Sequence, residues 1–114
     1  MRAPTTLLDE MADFGFNCFG FANNHTMDYL QKGYDSTLET LDEAGIPYVE
    51  KDSSRIVTTE SGLTIGLYAD SFYFNTGDIQ KNVKKLREQG AEVIICAFHW
   101  GTEGSYRPTA DQKN

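Results

Sequence analysis

The chain has 114 residues, of which 39% are hydrophobic and 12% aromatic. This length fits one domain and the apolar content supports a folded core, so a disordered chain and a pair of ordinary domains are excluded. The formal net charge of −7 argues against nucleic acid and anionic membrane surfaces as partners, although a bound cation can still attract an anionic substrate.

The hydrophobic pattern predicts strands that alternate with helices along the chain. Helices are predicted at 5–14, 33–44 and 78–89, and strands at 17–22, 46–50, 55–60, 63–69 and 92–98. Ser61 and Gly62 are predicted to form a two-residue hairpin turn, and the last strand, around VIICAF, is predicted to be buried. We therefore expect an α/β sheet with flanking helices and one inserted antiparallel hairpin.

The cysteines and the apolar runs bear on the cellular compartment. Cys18 and Cys96 both fall inside apolar strand-like segments. Buried free thiols are the favoured interpretation and a disulfide is the alternative, since no CxxC motif is present, and the redox compartment stays open. No apolar run approaches the length of a membrane span and the first residues lack a signal-peptide pattern, so we expect no targeting segment within these residues.

Polar side chains of the types that bind metals follow two of the predicted strands. The segment ANNHTMD, residues 22–28, follows the first strand, and HWGTEG, residues 99–104, ends the last one. Ligand sites in open α/β sheets lie just beyond the carboxyl ends of parallel strands, so Asn24, His25 and His99 are expected to converge on one crevice.

The residue types in these two segments suit metal binding and proton transfer. Imidazole binds zinc, iron or manganese, an amide oxygen can complete the coordination sphere, and a histidine beside a metal can protonate a leaving group. Asp28 can accept a ring N–H of His25 and fix its tautomer. The simpler alternative is that each histidine is an ordinary hydrogen-bonded residue and that Asn23-Asn24 is turn chemistry.

The stretch RAPTTLLDEMADFGFNCFGFANNHTMDYLQKGYDSTLETLDEAGIPYV, with its Asn-Asn-His-x-x-Asp element, resembles the bacterial capsule-synthesis family of PGA_cap or CapA-like proteins of poly-gamma-glutamate production. A second block, VIICAFHWGTEGSYRPTADQ, extends the resemblance over nearly the whole chain. It implies a metallophosphatase-like, calcineurin-type fold and a two-metal site holding manganese, zinc or iron.

The resemblance also implies roles for individual residues. The Asn-His pair after a strand implies that Asn24 binds metal and that His25 donates a proton, with Asp28 orienting His25. The histidine that ends the later strand, His99, becomes a second metal ligand. Trp100, Gly101 and Glu103 match the HWGxE-like block of the family, which implies that they shape the substrate pocket; the simpler alternatives are that Trp100 is a wall or core residue and that Glu103 is solvated. Asn23 is expected to secure the loop, and it is assigned to substrate binding together with Trp100 and Glu103.

Other elements of the family pattern are missing from this sequence. A Gly-Asp strand and an Asn-Leu-Glu element are expected before Arg2, and a Gly-His-x-His element after Gln112. We therefore expect residues 1–114 to be the central part of a single metallophosphatase-fold domain, truncated at both ends. Its metal site is then incomplete, and its exposed strand edges allow homo-oligomer formation.

Two functions of different classes follow from the resemblance. The first is a metal-dependent phosphoesterase-like hydrolase of capsule or poly-gamma-glutamate metabolism, acting on a phosphoester or an anionic polymer, with this fragment itself inactive. The alternative is a non-catalytic binding or assembly component of a polyglutamate synthesis and export complex with membrane synthase subunits. Both place the parent protein at the membrane or outside the cytoplasm of a bacterium. A generic α/β domain with non-functional histidines is the third and simplest alternative.

Overall fold

A computed structural model describes residues 1–72 and 75–113 of the chain. The helices are α1 Leu7–Asp13, α2 Leu30–Glu43, α3 Thr76–Glu88 and α4 Ala110–Lys113; the strands are β1 Phe19–Phe21, β2 Tyr48–Glu50, β3 Ser53–Thr58, β4 Thr64–Ser71 and β5 Val93–His99. The predicted α/β class is confirmed. Within the described ranges, no helix has both the length and the apolar character needed to cross a bilayer.

The strands form two small sheets. Sheet A contains β1 and β2, which run parallel, and sheet B has the order β3-β4-β5. In sheet B, β3 is antiparallel to β4, and β5 is parallel to β4 with Ser71 opposite His99. A parallel bridge between Lys51, just after β2, and Ala69 of β4 links the sheets. Strands β1, β2, β4 and β5 therefore share one direction, and their carboxyl ends point to one side of the molecule.

The two sheets pack face to face, with a helix on each outer side. Val49 of sheet A lies against Leu67 and Ala69 of sheet B in one buried cluster. Side chains alternate between the faces of a strand, so Tyr68 points the other way and packs with Leu86 of α3. On the outer face of sheet A, the ring of Tyr34 in α2 lies 5.0 Å from that of Phe21. The layers are therefore α2, sheet A, sheet B and α3.

The hairpin turn differs from the predicted two-residue form. The backbone N–H of Thr59 donates to the Leu63 carbonyl at 2.9 Å, so the turn contains three residues. Gly62, the last of them, has φ +89°, a conformation that glycine adopts without steric cost. A three-residue turn that ends on a left-handed glycine suits the right-handed twist of the paired strands, and it replaces the predicted turn of Ser61 and Gly62.

The prediction that β5 is buried is wrong. Six of its seven residues are exposed, because β5 is an edge strand and sheet A and α3 pack mainly over β4. Cys96 is consequently exposed and Cys18 is half-buried. Both cysteines are free, as predicted, but neither is fully buried.

Candidate functional site

The loop after β1 is held by hydrogen bonds among its own residues. The side-chain oxygen of Asn23 accepts from the backbone N–H of His25 at 2.8 Å, and the Thr26 hydroxyl accepts from the N–H of Asn23 at 3.2 Å. Asparagine favours such local side-chain-to-backbone bonds. Asn23 therefore fixes the loop that carries Asn24 and His25, as predicted for it; its predicted contact with substrate stays a prediction.

His25 and Asp28 form the predicted pair. Nδ1 of His25 lies 2.9 Å from Oδ2 of Asp28, and the same carboxyl oxygen accepts from the N-terminal ammonium of Met1. The hydrogen bond from that ammonium, and then the one from His25, lower the pKa of Asp28 below its ordinary value. A carboxylate on Nδ1 favours the tautomer with its proton on that nitrogen, which leaves Nε2 of His25 as the atom that can exchange protons. The catalytic roles of the two residues stay predictions.

The loop after β5 meets the loop after β1. The side-chain Nδ2 of Asn24 donates to Oε1 of Glu103 at 3.1 Å, across 79 residues of sequence. The strand packing is consistent with this contact, because a Cβ placed on Gly20 of β1 would lie 4.0 Å from the Cβ of Ala97 in β5. The two predicted polar segments therefore come together at the carboxyl ends of β1 and β5.

Glu103 has a position that the sequence did not predict. Its carboxylate contacts Asn24, one of the predicted metal ligands, whereas the sequence assigned Glu103 to substrate. Because Nδ2 of Asn24 is occupied, the side-chain oxygen is the atom left for a cation, and within the described residues it accepts no hydrogen bond. Carboxylates often hydrogen-bond the ligands of a metal site, but the predicted roles of Asn24 as a metal ligand and of Glu103 in substrate binding both stay predictions.

Trp100 lies beside an open cavity formed by the chain after β5. The cavity is lined by Trp100, Ser105, Tyr106 and Arg107, among others. Nε2 of Gln112 donates to the Trp100 carbonyl at 3.2 Å and fixes the C-terminal segment against this loop. Trp100 is therefore a wall residue, and its contact with substrate stays a prediction.

The end of β4 was missed by the sequence analysis. Ser71 is buried in register with His99, and the ring of Phe72 lies edge-on to the His99 imidazole with centroids 6.5 Å apart. The only available signal was that β4, like β5, is an apolar strand, so its end was expected on the same side of the sheet. The segment ADSF does contain Asp70 and Ser71, but it has no histidine and no Asn-His pair, so it did not stand out as a ligand motif.

The donor set fits part of a metal site. Within residues 1–72 and 75–113, no group of three or more His, Cys, Asp or Glu side chains is close enough to hold a metal ion. Asn24 and His99 have the amide oxygen and imidazole nitrogen that zinc and manganese accept, but a stable zinc site uses three or four protein ligands. The residue types are therefore compatible with a cation site, and the roles of Asn24 and His99 as metal ligands stay predictions.

A curated protein is similar to nearly the whole chain. Capsule biosynthesis protein CapA of Bacillus anthracis is 26% identical, over 99% of this chain and 34% of that protein. The chain thus spans about a third of the length of this curated relative. No solved structure matches the chain.

A family profile gives the broader assignment. The profile described as bacterial capsule synthesis protein PGA_cap matches residues 1–71. The matched region includes the loop that carries Asn24, His25 and Asp28, and it ends at Ser71, before β5. It covers more than half of the sequence, and the α/β architecture agrees with the metallophosphatase-like fold of this family. The chain belongs to the bacterial capsule synthesis family PGA_cap.

Proposed function

We propose that this chain supplies part of a divalent-cation site to a capsule biosynthesis protein, and that the complete site hydrolyses a phosphoester or an amide-linked anionic polymer such as poly-gamma-glutamate. The observation that carries the proposal is the hydrogen bond between Asn24 and Glu103, because it joins the two polar strand ends into one surface. Zinc, manganese or iron suits the amide and imidazole donors.

In this proposal, the positive charge of a bound cation would offset the repulsion between the acidic protein and an anionic substrate. The chain carries a net charge of −7, which repels phosphate or polyglutamate unless a metal reverses the local field. When bound, a divalent cation supplies a Lewis acid that offsets negative charge on a phosphoryl or carbonyl oxygen. Asn24 and His99 would hold it, and the hydrogen bond from Nδ2 of Asn24 to Glu103 would leave the side-chain oxygen of Asn24 free for it.

His25 is the proton donor in this proposal. Asp28 accepts from Nδ1 of His25 at 2.9 Å and limits rotation of the ring. Nε2 then carries the proton that a leaving group takes, and general acid catalysis of this kind contributes about 10²–10⁴-fold to a rate. Trp100 and the neighbouring cavity bound the side on which the substrate lies.

Metal titration tests the proposal on the chain itself. We expect weak binding of zinc and manganese, with a Kd above about 1 μM, because two protein ligands are fewer than a stable site uses. Asn24→Ala and His99→Ala should each weaken binding at least about 10-fold. Asn82→Ala on α3 is the matched control and should bind like the wild type. Equal binding by all four proteins contradicts the proposal, and submicromolar binding of two ions shows that ligands were overlooked.

The alternative is a non-catalytic component that holds an anionic polymer or partner subunits of a membrane synthase. Binding of poly-gamma-glutamate, with and without manganese, separates the two functions. The hydrolase proposal expects polymer binding that requires manganese and is lost in His99→Ala, and no turnover by this chain alone. Polymer binding that is equally strong without metal supports the assembly role.

A further inference from the structure

Among the described residues, the hydroxyl of Ser71 is buried without a hydrogen bond. Ser71 is 1% exposed, and its Oγ has no partner among the residues that the structure describes. Buried polar side chains are nearly always hydrogen-bonded, because an unsatisfied one loses its water without compensation. The burial of the Ser71 hydroxyl without a hydrogen bond to the described residues therefore needs a physical explanation.

Ser71 lies next to His99. The two residues are in-register partners at the ends of β4 and β5, so their side chains leave the sheet on the same face from backbones about 4.8 Å apart. This face is the one covered by sheet A, where Val49 packs against Ala69. The side chain of Ser71 is therefore the cross-strand neighbour of the His99 side chain, which the proposed function assigns to the cation.

Phe72 frames His99 from a second side. Its backbone N–H donates to the His99 carbonyl at 3.0 Å, and its φ of +68° is in the left-handed region that bulky residues rarely adopt. This conformation places its ring edge-on to the imidazole, at 6.5 Å between centroids. Lys51 Nζ lies 5.3 Å from the centre of the Phe72 ring. Backbone strain of this kind is concentrated at functional sites.

We propose that Ser71 and Phe72 are positioning residues for His99. With a cation on His99, the Ser71 hydroxyl would accept the ring N–H that faces away from the cation, a hydrogen bond that is not formed in this structure. The Phe72 ring would restrict rotation of the imidazole. A metal-binding histidine usually donates its second ring nitrogen to such an acceptor, which fixes its tautomer and orientation. The inference rests on the proposed function in one respect, namely that His99 binds the cation.

The test compares stability and metal binding in one variant, Ser71→Ala. Removing an unsatisfied buried hydroxyl should raise the urea midpoint of the metal-free protein, because a desolvation penalty disappears. The same variant should bind zinc about 10-fold more weakly, as loss of an outer partner does. Ser54→Ala, on β3, is the matched control and should leave zinc affinity unchanged. Phe72→Leu keeps an apolar side chain and should also weaken zinc binding.

The outcomes separate this inference from the proposed function. If His99→Ala loses zinc binding while Ser71→Ala and Phe72→Leu retain it, the positioning role is wrong and the cation site stands. If His99→Ala binds zinc like the wild type, the proposed function itself is wrong at His99. A lower urea midpoint for Ser71→Ala would show that the hydroxyl has a structural partner, which also overturns the inference.

Discussion

Strands β4 and β5 are parallel, in register and similarly apolar in sequence, yet their environments differ. Six of the eight residues of β4 are buried, whereas six of the seven residues of β5 are exposed. Sheet A covers β4 on one face and α3 covers it on the other. Among the strands that the structure describes, β5 pairs only with β4. The predicted metal ligand His99 is on the exposed strand, and the idle hydroxyl of Ser71 is on the buried one.

The difference between β4 and β5 shows that the composition of a strand predicts extended structure but does not predict whether the strand lies in the middle or at the edge of a sheet. An apolar run such as VIICAF is typical of a strand that is buried on both faces, but burial depends on which elements pack over it. Here β4 is packed on both faces, and β5 is positioned by its pairing with β4. The proposed site therefore depends on a strand whose side chains are mostly exposed.

The largest expected effect compares two in-register residues on the same face. Leu67 of β4 is 8% exposed and its partner Ile95 of β5 is 51% exposed. Leu67→Ala should lower the free energy of unfolding by about 2–4 kcal/mol, because it leaves a cavity in the core. Ile95→Ala should lower it by about 1 kcal/mol or less, because the side chain is half in water. Urea denaturation measures both, and equal losses would contradict the contrast between the strands.

A smaller effect concerns sheet A, which covers β4. Burial, followed by the hydrogen bond to Glu50, raises the pKa of Tyr34 from 10.0 to about 12. The pKa is higher in the folded state, so the contribution of Tyr34 is complete below pH 10 and is lost as the pH rises from 10 to 12. Stability of the wild type should therefore fall between these pH values more than that of Tyr34→Phe. Parallel alkaline denaturation curves for the two proteins would show that this contact does not bind α2 to sheet A.

Much of the fold could be predicted from the sequence, because helix periodicity and glycine stops are local signals. Helix α2, for example, ends next to Gly45, as predicted, and that glycine has φ +67°. The exposure of β5 could not be predicted, since it depends on contacts between distant segments. The three-residue hairpin turn was missed because Thr59, and not Glu60, pairs with Leu63, so that the last residue of the predicted strand belongs to the turn.

The candidate site could also be predicted in part, because some of its residues form local sequence motifs. The polar residues after β1 and β5 were visible as motifs, and the contact between His25 and Asp28 follows from their spacing of three residues. The placement of Glu103 against Asn24 and of Ser71 beside His99 required the packing of separate strands. No local pattern contains that information.

The most direct measurement of the central claim, that the two strand ends form one cation site, is manganese-induced line broadening in NMR spectra. The chain has two histidines, so the ring signals of His99 can be assigned with His25→Gln and His99→Gln. We expect the His99 ring and the Asn24 side-chain amide to broaden together at the same manganese concentration, while the amide of Asn82 stays sharp. The claim would be contradicted if the His99 ring signals broadened while the Asn24 amide stayed sharp. It would also be contradicted if neither signal broadened at a lower manganese concentration than the Asn82 amide.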